Sequence, residues 1–385
     1  MSPCRRRLTP KRPAAEPNID LEHPMTFKVV QWTSGGVARQ CVRAIVEHPD
    51  MELVGMYAFS PDKVGKDAGE LVGLPTLGVT ATGDVDALLA LQPDCVSYSP
   101  LHPDVDEIAR ILEAGINIVT TSMFLTGWNI STRQPGGVPD AIERIEAAGH
   151  KGNATIFGTG MNPGYINYLA CVLTGISHRI DHVKLTESVD VSLFAGDSNM
   201  DPLGWGLPPN SPGHQDRLME ETRVFGDGVE VMAQILGLSL EEKRCTTEFA
   251  YALEDLELDG RHIAKGTVAG IKVRWEGVVD GKPLIENCQV WAMAKNLDPQ
   301  WSIEHAYLID IQGDPHVHSR IDILPAGDLA AMGGRDFHAV GMTITGLPSI
   351  NAIPAVCAAE TGIRTYAELP VVAGSGRLGM TGEHA

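Results

Sequence analysis

The segment Thr33-Ser34-Gly35-Gly36-Val37-Ala38 joins a short apolar run, residues 28–32, to a helical pattern over residues 37–47. A strand that turns into a helix in this way gathers backbone N–H groups at the helix N-terminus, where the helix dipole favours negative charge. Capture of a phosphate or pyrophosphate is the chemistry that such a turn serves. The dinucleotide fingerprint places three glycines here. The middle one is kept as Gly35, and the third is Ala38, which close helix–strand packing tolerates. The first is Thr33, so the turn manages without that glycine, and the adjacent Gly36 is expected to relieve part of the strain.

A second strand, residues 52–59, follows about 20 residues later, which is the spacing of a mononucleotide-binding unit. An NAD-preferring site carries a carboxylate at the tip of that strand. Here the tip reads Tyr57-Ala58-Phe59-Ser60, followed by Pro61-Asp62-Lys63. The strand tip holds no acid, and Ser60 and Lys63 suit a 2′-phosphate by hydrogen bond and by charge. The cofactor expected is NADP(H) in preference to NAD(H).

Candidate proton-handling groups are fewer. His102, just past a strand end, has an imidazole that titrates near neutrality. Tyr165, at a helix start after Pro163, is a candidate donor to a developing anion. Glu187 and Asp190 are three apart on a strand and leave opposite faces, so no paired-carboxylate site is expected, although either one alone is free to face a cleft. His316 and His318 put two imidazoles on one strand face with no third ligand in sequence, and no metal is expected. The Gly/Pro-rich loop Asp201-Pro202-Leu203-Gly204-Trp205-Gly206-Leu207 suits an apolar cover, with Trp205 against the substrate.

These groups belong to a chain of 385 residues, long enough for two cores. Its hydrophobic content of 43% and charged content of 21% are those of a globular protein. A formal net charge of -19 argues against nucleic acid or anionic lipid as partner and leaves a small molecule as the expected ligand. The seven cysteines are scattered with no CxxC pair, which fits reduced thiols and a cytoplasmic setting. Residues 1–24 start basic without the apolar core of a signal peptide and read as a disordered leader, with Met25 an alternative start. No run is expected to approach the ~20 apolar residues of a membrane helix.

From Phe27 on, short β-branched runs alternate with helical segments to about residue 160, which implies βαβ units and a parallel, doubly wound sheet. Residues 182–191, 244–258, 267–279 and 284–294 then read as long strands. Asp280-Gly281 between the last two is a hairpin signal, because both turn residues must take positive φ. The expected architecture is α/β: an N-terminal Rossmann sheet over residues 25–160, then an α+β domain with a mainly antiparallel sheet over 161–338. A helix over 215–236 covers that second sheet. A helix over 340–360, interrupted at Pro348 and Pro354, returns to the first domain within 339–370, and 371–385 forms a loose tail.

The set QWTSGGVAR, SPDKVGKDAGEL, GINIVTT, GTGMNPGY and NAIPAV resembles the dihydrodipicolinate-reductase-like oxidoreductases that include 2,4-diaminopentanoate dehydrogenase and the native amine dehydrogenases, over residues 26 to 370. The resemblance implies a homodimer and hydride transfer between a nicotinamide and a carbon–nitrogen bond. It places Thr33, Ser34, Gly35, Gly36, Val37 and Ala38 on the pyrophosphate, and Ser60 and Lys63 at the adenosine ribose. Tyr98, Ser99, Pro100 and Thr121 fall on the nicotinamide side, with Asn162 between nicotinamide and substrate. The amine-forming members carry a glutamate where this chain has Met123 and Phe124, which become candidate substrate contacts that transfer no proton. Three readings stay open: reduction of a preformed imine or ketone, an ammonia-dependent reaction using another acid, and a non-catalytic NADP-binding redox sensor.

Overall fold

The computed structural model describes residues 26–379, so the expected leader lies outside the described residues. Seven strands form the first sheet: β1 (Phe27–Trp32), β2 (Met51–Tyr57), β3 (Ala81–Thr82), β4 (Cys95–Tyr98), β5 (Asn117–Thr120), β6 (Thr155–Gly158) and, from the far end of the chain, β16 (Gly362–Arg364). Their order is β16-β6-β5-β4-β1-β2-β3, with every pairing parallel. Val29, Val30, Val96, Ile118, Val119, Ile156 and Phe157 are buried, as strands covered on both faces require. Helices α1 (Gly36–Val46), α2 (Ala68–Val72), α3 (Val85–Leu89), α4 (Val105–Glu113), α5 (Trp128–Thr132) and α6 (Ala141–Gly152) lie between these strands. The chain order reverses between β1 and β4, which opens the crevice where such sheets bind ligands.

After α7 (Ile166–Leu173) the chain builds a second sheet from β7 (Arg179–Asp190), β8 (Glu242–Ala252), β11 (Val268–Val279), β12 (Lys282–Ala292), β13 (Leu297–Asp298), β14 (Ala306–Asp314) and β15 (Val317–Ile321). Its order is β13-β8-β11-β12-β7-β14-β15, antiparallel except where β12 meets β7. A separate hairpin pairs β9 (Leu256–Leu258) with β10 (Arg261–Ile263). Asp280 and Gly281 take φ of 50° and 69°, the left-handed pair that a tight turn from β11 into β12 needs.

Three elements differ from the sequence reading. The helix expected over 215–236 is two, α8 (His214–Glu221) and α9 (Val224–Leu236). Thr222 at the break bonds its hydroxyl to the Leu218 carbonyl and accepts from Trp275 Nε1, a tertiary contact that no local pattern announces. The strand expected over 244–258 ends at Ala252. Helix α10 (Gly334–Cys357) runs unbroken through Pro348 and Pro354, because packing on α1, β5 and β6 outweighs the two missing N–H groups. At 24 residues with a mean hydropathy of 1.3 over its apolar window, α10 is long and apolar enough to cross a membrane, a run the sequence reading did not anticipate. Residues 371–379, expected to be loose, are held down. Val372 is buried, Arg377 bonds Asn351 and the Ala44 carbonyl, and His48 bonds the Ser375 carbonyl.

Candidate active site

The turn after β1 caps α1, an amphipathic helix with no acid in its first turn. Thr33 itself takes φ of 76°, a left-handed conformation that costs a β-branched residue about 1–2 kcal/mol. Its hydroxyl donates to the Ser99 carbonyl at 3.2 Å, which ties the turn to the end of β4. The expected relief from Gly36 is absent: Gly36 is simply the first residue of α1. Gly35 is extended and caps the helix with no side chain, and a Cβ built on it meets nothing within 4 Å. Open space before an uncapped helix N-terminus fits a pyrophosphate. Beyond the tip of β2, Lys63 N–H closes a turn on the Ser60 carbonyl, and Lys63 Nζ donates to the Ser34 hydroxyl at 3.0 Å.

A cavity of ≈ 580 Å³ runs from this turn to the second sheet. Val37, Ser99, Pro100, Thr121, Met123 and Asn162 form its first-sheet wall. Opposite stand Glu187 and Val189 of β7, Trp291 of β12 and Tyr307 of β14. Leu193, Phe194, Met200 and Leu203 cover one side, and Phe337, Val340 and Ile344 of α10 another. Among the described residues, three carboxylates line the cavity (Glu187, Asp190 and Glu221) and no lysine or arginine does. Glu221 is neutralised by Arg133 at 2.6 Å, and Asp190 accepts the Ser192 N–H at 2.9 Å.

Glu187 lies deep in the protein with part of its surface open to the cavity. One oxygen accepts from Trp291 Nε1 at 3.0 Å and the other from Asn162 Nδ2 at 2.8 Å. Asn162 in turn accepts from Asn287, and Asn287 from Gln289, so a row of buried amides points its donors toward the carboxylate. Burial raises the Glu187 carboxyl above the ordinary range, and these two neutral hydrogen bonds only partly oppose it. Tyr307, paired with Glu187 across the sheet, is pushed well above its ordinary value by burial and by that carboxylate.

Five sequence candidates stand elsewhere. The Tyr98 side chain turns away from the cavity to bond Glu107 at 2.7 Å, with Trp32 beside it. Phe124 is fully buried in the core of the first domain. Trp205 is buried in the second domain, with Leu203 of its loop reaching the cavity instead. His102 is largely exposed in a neighbouring cleft that shares Met123 with the main cavity, and partial desolvation of the imidazole, with Arg133 nearby, lowers its pKa. Tyr165 packs edge-on to Tyr168 and Tyr366. His316 and His318 both reach Asp310, and among the described residues no group of three or more His, Cys, Asp or Glu side chains is arranged to hold a metal ion.

The sequence leaves Glu187 free to face a cleft without making it a site residue, and it does not point to Trp291 or Tyr307 at all. A signal existed: Val183, Leu185, Glu187, Val189 and Val191 form a period-2 row in which the glutamate is the single charge. The segment bearing Met123 is fixed by Asp227 of α9, whose carboxylate accepts from the N–H groups of Leu125 and Thr126, each at 3.2 Å, and of Asn129 at 2.8 Å.

A parallel sheet with an anion-ready turn at its switch point, and a cavity closed by a second sheet, define an NAD(P)-dependent oxidoreductase. The chain belongs to the 2,4-diaminopentanoate dehydrogenase family, whose C-terminal domain matches residues 165–377, more than half of its length. It is 29% identical over 369 residues to an amine dehydrogenase of Streptomyces virginiae, 92% of this chain and 99% of that protein. Over 107 residues, 26% of this chain and 38% of the other, it is 34% identical to 4-hydroxy-tetrahydrodipicolinate reductase of Synechococcus elongatus. The solved amine dehydrogenase of Mycobacterium smegmatis shares the fold with a TM-score of 0.70 at 22% identity, covering 91% of this chain and 98% of that one.

Proposed function

We propose that the protein moves hydride between NADP(H), in preference to NAD(H), and a carbon–nitrogen or carbonyl bond of a small, largely apolar substrate. The observation that carries this reading is one cavity bounded at one end by the turn and the strand tips of the first sheet, and at the other by a buried carboxyl. The coenzyme, when bound, supplies or accepts the hydride. Ser34, Gly35, Gly36, Val37 and Ala38 bind its pyrophosphate through α1, with Ser60 and Lys63 at the adenosine ribose. Ser99, Pro100, Thr121 and Asn162 orient the nicotinamide side, and the apolar cover of Leu193, Phe194, Met200 and Leu203 excludes water.

The carbon–nitrogen bond is favoured within this reading. A lining with carboxylates and no lysine or arginine among the described residues stabilises a cationic iminium and offers no fixed lysine or arginine charge to an oxyanion or to a carboxylate-bearing substrate. The amine dehydrogenase of Streptomyces virginiae supports the same choice by its name. Ammonia-dependent chemistry with an acid other than the family glutamate is therefore preferred over plain ketone reduction. Homodimerisation and a cytoplasmic location belong to the reading too; the six described cysteines are all free thiols, as a reducing compartment keeps them.

The test is NADPH oxidation with a panel of apolar ketones and 2-oxo acids, the same compounds with ammonium, and cyclic imines. Turnover with ketone that requires ammonium is the expected result. No oxidation with any member, or turnover confined to 2-oxo acids, would overturn the reading.

A further inference from the structure

We infer that Glu187 is the catalytic acid–base of this cavity, the carboxyl that gives a proton to the departing oxygen and then stands as counter-ion to the nitrogen cation. The inference rests on the carbon–nitrogen reading above, but its evidence is separate. Glu187 reaches the cavity from the second sheet, across from Met123. Its two hydrogen bonds come from neutral donors, Trp291 and Asn162, and among the described residues no cation is built in beside it. Burial biases a carboxyl held this way toward its protonated form, and a cation beside it reverses that bias.

Titratable groups stand around it on each neighbouring element. Tyr307 on β14 faces it across the strand pair. Asp190 lies further along β7, Glu221 closes α8 but is paired with Arg133, and His305 stands at the entry to β14, exposed. Trp291 on β12 and Asn162 add donors without charge. None of these is a rival base within the hydrogen-bonded group, and Asn162 acts as a positioning residue.

In the aminating direction, neutral Glu187 gives its proton to the hydroxyl of a carbinolamine. The carbon–oxygen bond breaks, water leaves, and the nitrogen lone pair forms the second carbon–nitrogen bond. One neutral acid and one neutral adduct thus become a carboxylate and an iminium cation, with charge conserved. After hydride has reached the iminium carbon, Glu187 recovers a proton from solvent. Amine oxidation runs the same transfers in reverse.

Two readouts test this, one of them free of coenzyme. Hexylammonium titrated into the coenzyme-free protein is expected to change the fluorescence of Trp291, whose indole N–H touches the carboxyl, and E187Q is expected to weaken that binding about tenfold or more. Hexanol and NADPH binding are expected to change far less. With an apolar ketone and ammonium, E187Q should lose about 10²-fold or more in kcat, the range of a general acid–base group, with a much smaller change in ketone KM. W291F, which keeps the carboxyl but removes one bond to its ionised form, should move the corresponding limb of the pH–rate profile upward. M123E in the E187Q background should restore part of kcat, since both positions line one cavity.

Hexylammonium binding and turnover in E187Q within threefold of the unmutated protein would overturn the inference, as would an unmoved pH limb in W291F. If E187Q does not fold, E187D and W291F carry the same decision. A chain that binds hexylammonium through Glu187 yet oxidises no NADPH would leave the charge partner standing and sink the carbon–nitrogen reaction instead.

Discussion

The Lys63 ammonium donates a hydrogen bond to the Ser34 hydroxyl at 3.0 Å, joining the tip of β2 to the turn that opens α1. On the proposed reading, this holds the cation where an adenosine ribose would meet its pyrophosphate. K63A is expected to weaken NADPH about tenfold while NADH changes less than twofold, the scale of one charge-assisted hydrogen bond. Dissociation constants by fluorescence decide the matter. Equal losses for both nucleotides would assign Lys63 to the pyrophosphate and remove the basis for an NADP preference.

Asp227 binds the two lobes together through three backbone N–H groups at Leu125, Thr126 and Asn129. Its burial nonetheless raises the carboxyl from 3.8 to about 6, more than those bonds and Lys243 lower it. Because the folded value lies above the unfolded one, the native chain holds a proton across this window that the unfolded chain has released. Stability contributed by the group therefore grows as pH falls from about 6 toward 4. Unfolding midpoints of the unmutated protein and D227N, compared from pH 7 to 4, should diverge in favour of the former as pH falls. A constant difference would contradict the assignment. D227A, which leaves the three N–H groups without an acceptor, should cost about 2–4 kcal/mol at neutral pH.

Thr33 carries both a strained backbone and a hydroxyl bond to Ser99. T33V keeps the strain and deletes the bond, and should destabilise by about 1 kcal/mol. T33G deletes the bond but removes the strain, and should lie within about 1 kcal/mol of the unmutated protein. Denaturant titrations that rank T33G well below T33V would show that the left-handed conformation is not the cost argued for it.

Phe124 is core, where the sequence suggested a substrate contact. F124A should lose about 3–5 kcal/mol of stability, as a buried aromatic does, with substrate KM changed less than by M200A or F194A in the cover. A stable F124A with a selectively raised KM would return the residue to the site.

The α/β alternation, the second sheet and the hairpin at Asp280-Gly281 were legible because each rests on a local signal: periodicity, turn chemistry, or the length of an apolar run. So was the turn at Gly35, where backbone approach constrains residue type. The reactive end was not. Tyr98, Phe124 and Trp205 have the right position in sequence, but strand pleat and loop path aim their side chains into cores. Glu187 is excluded in sequence only as half of a pair and left free to face a cleft, and what marks it out is that it is the one charge in an apolar row. Trp291 and Tyr307 join it only through pairings of β7 with β12 and β14, which no local pattern encodes. The breaks at Thr222 and the continuity at Pro348 were illegible for the same reason: tertiary contacts override propensity.

Strand β16 pairs with β6 through Gly362–Thr155, Ile363–Ile156 and Arg364–Phe157, and α10 lies against α1. The first domain is thus assembled from both ends of the chain, with the second inserted between. During synthesis its six earlier strands emerge with β6 as an open edge and α1 uncovered, and they stay so until the last segment leaves the ribosome. The inserted sheet, whose strands all lie between these halves, has its partners to hand earlier. Maturation is therefore ordered by topology: the substrate half can close first, and the nucleotide half is completed last, leaving its unfinished edge as the point of greatest exposure to mispairing and proteolysis.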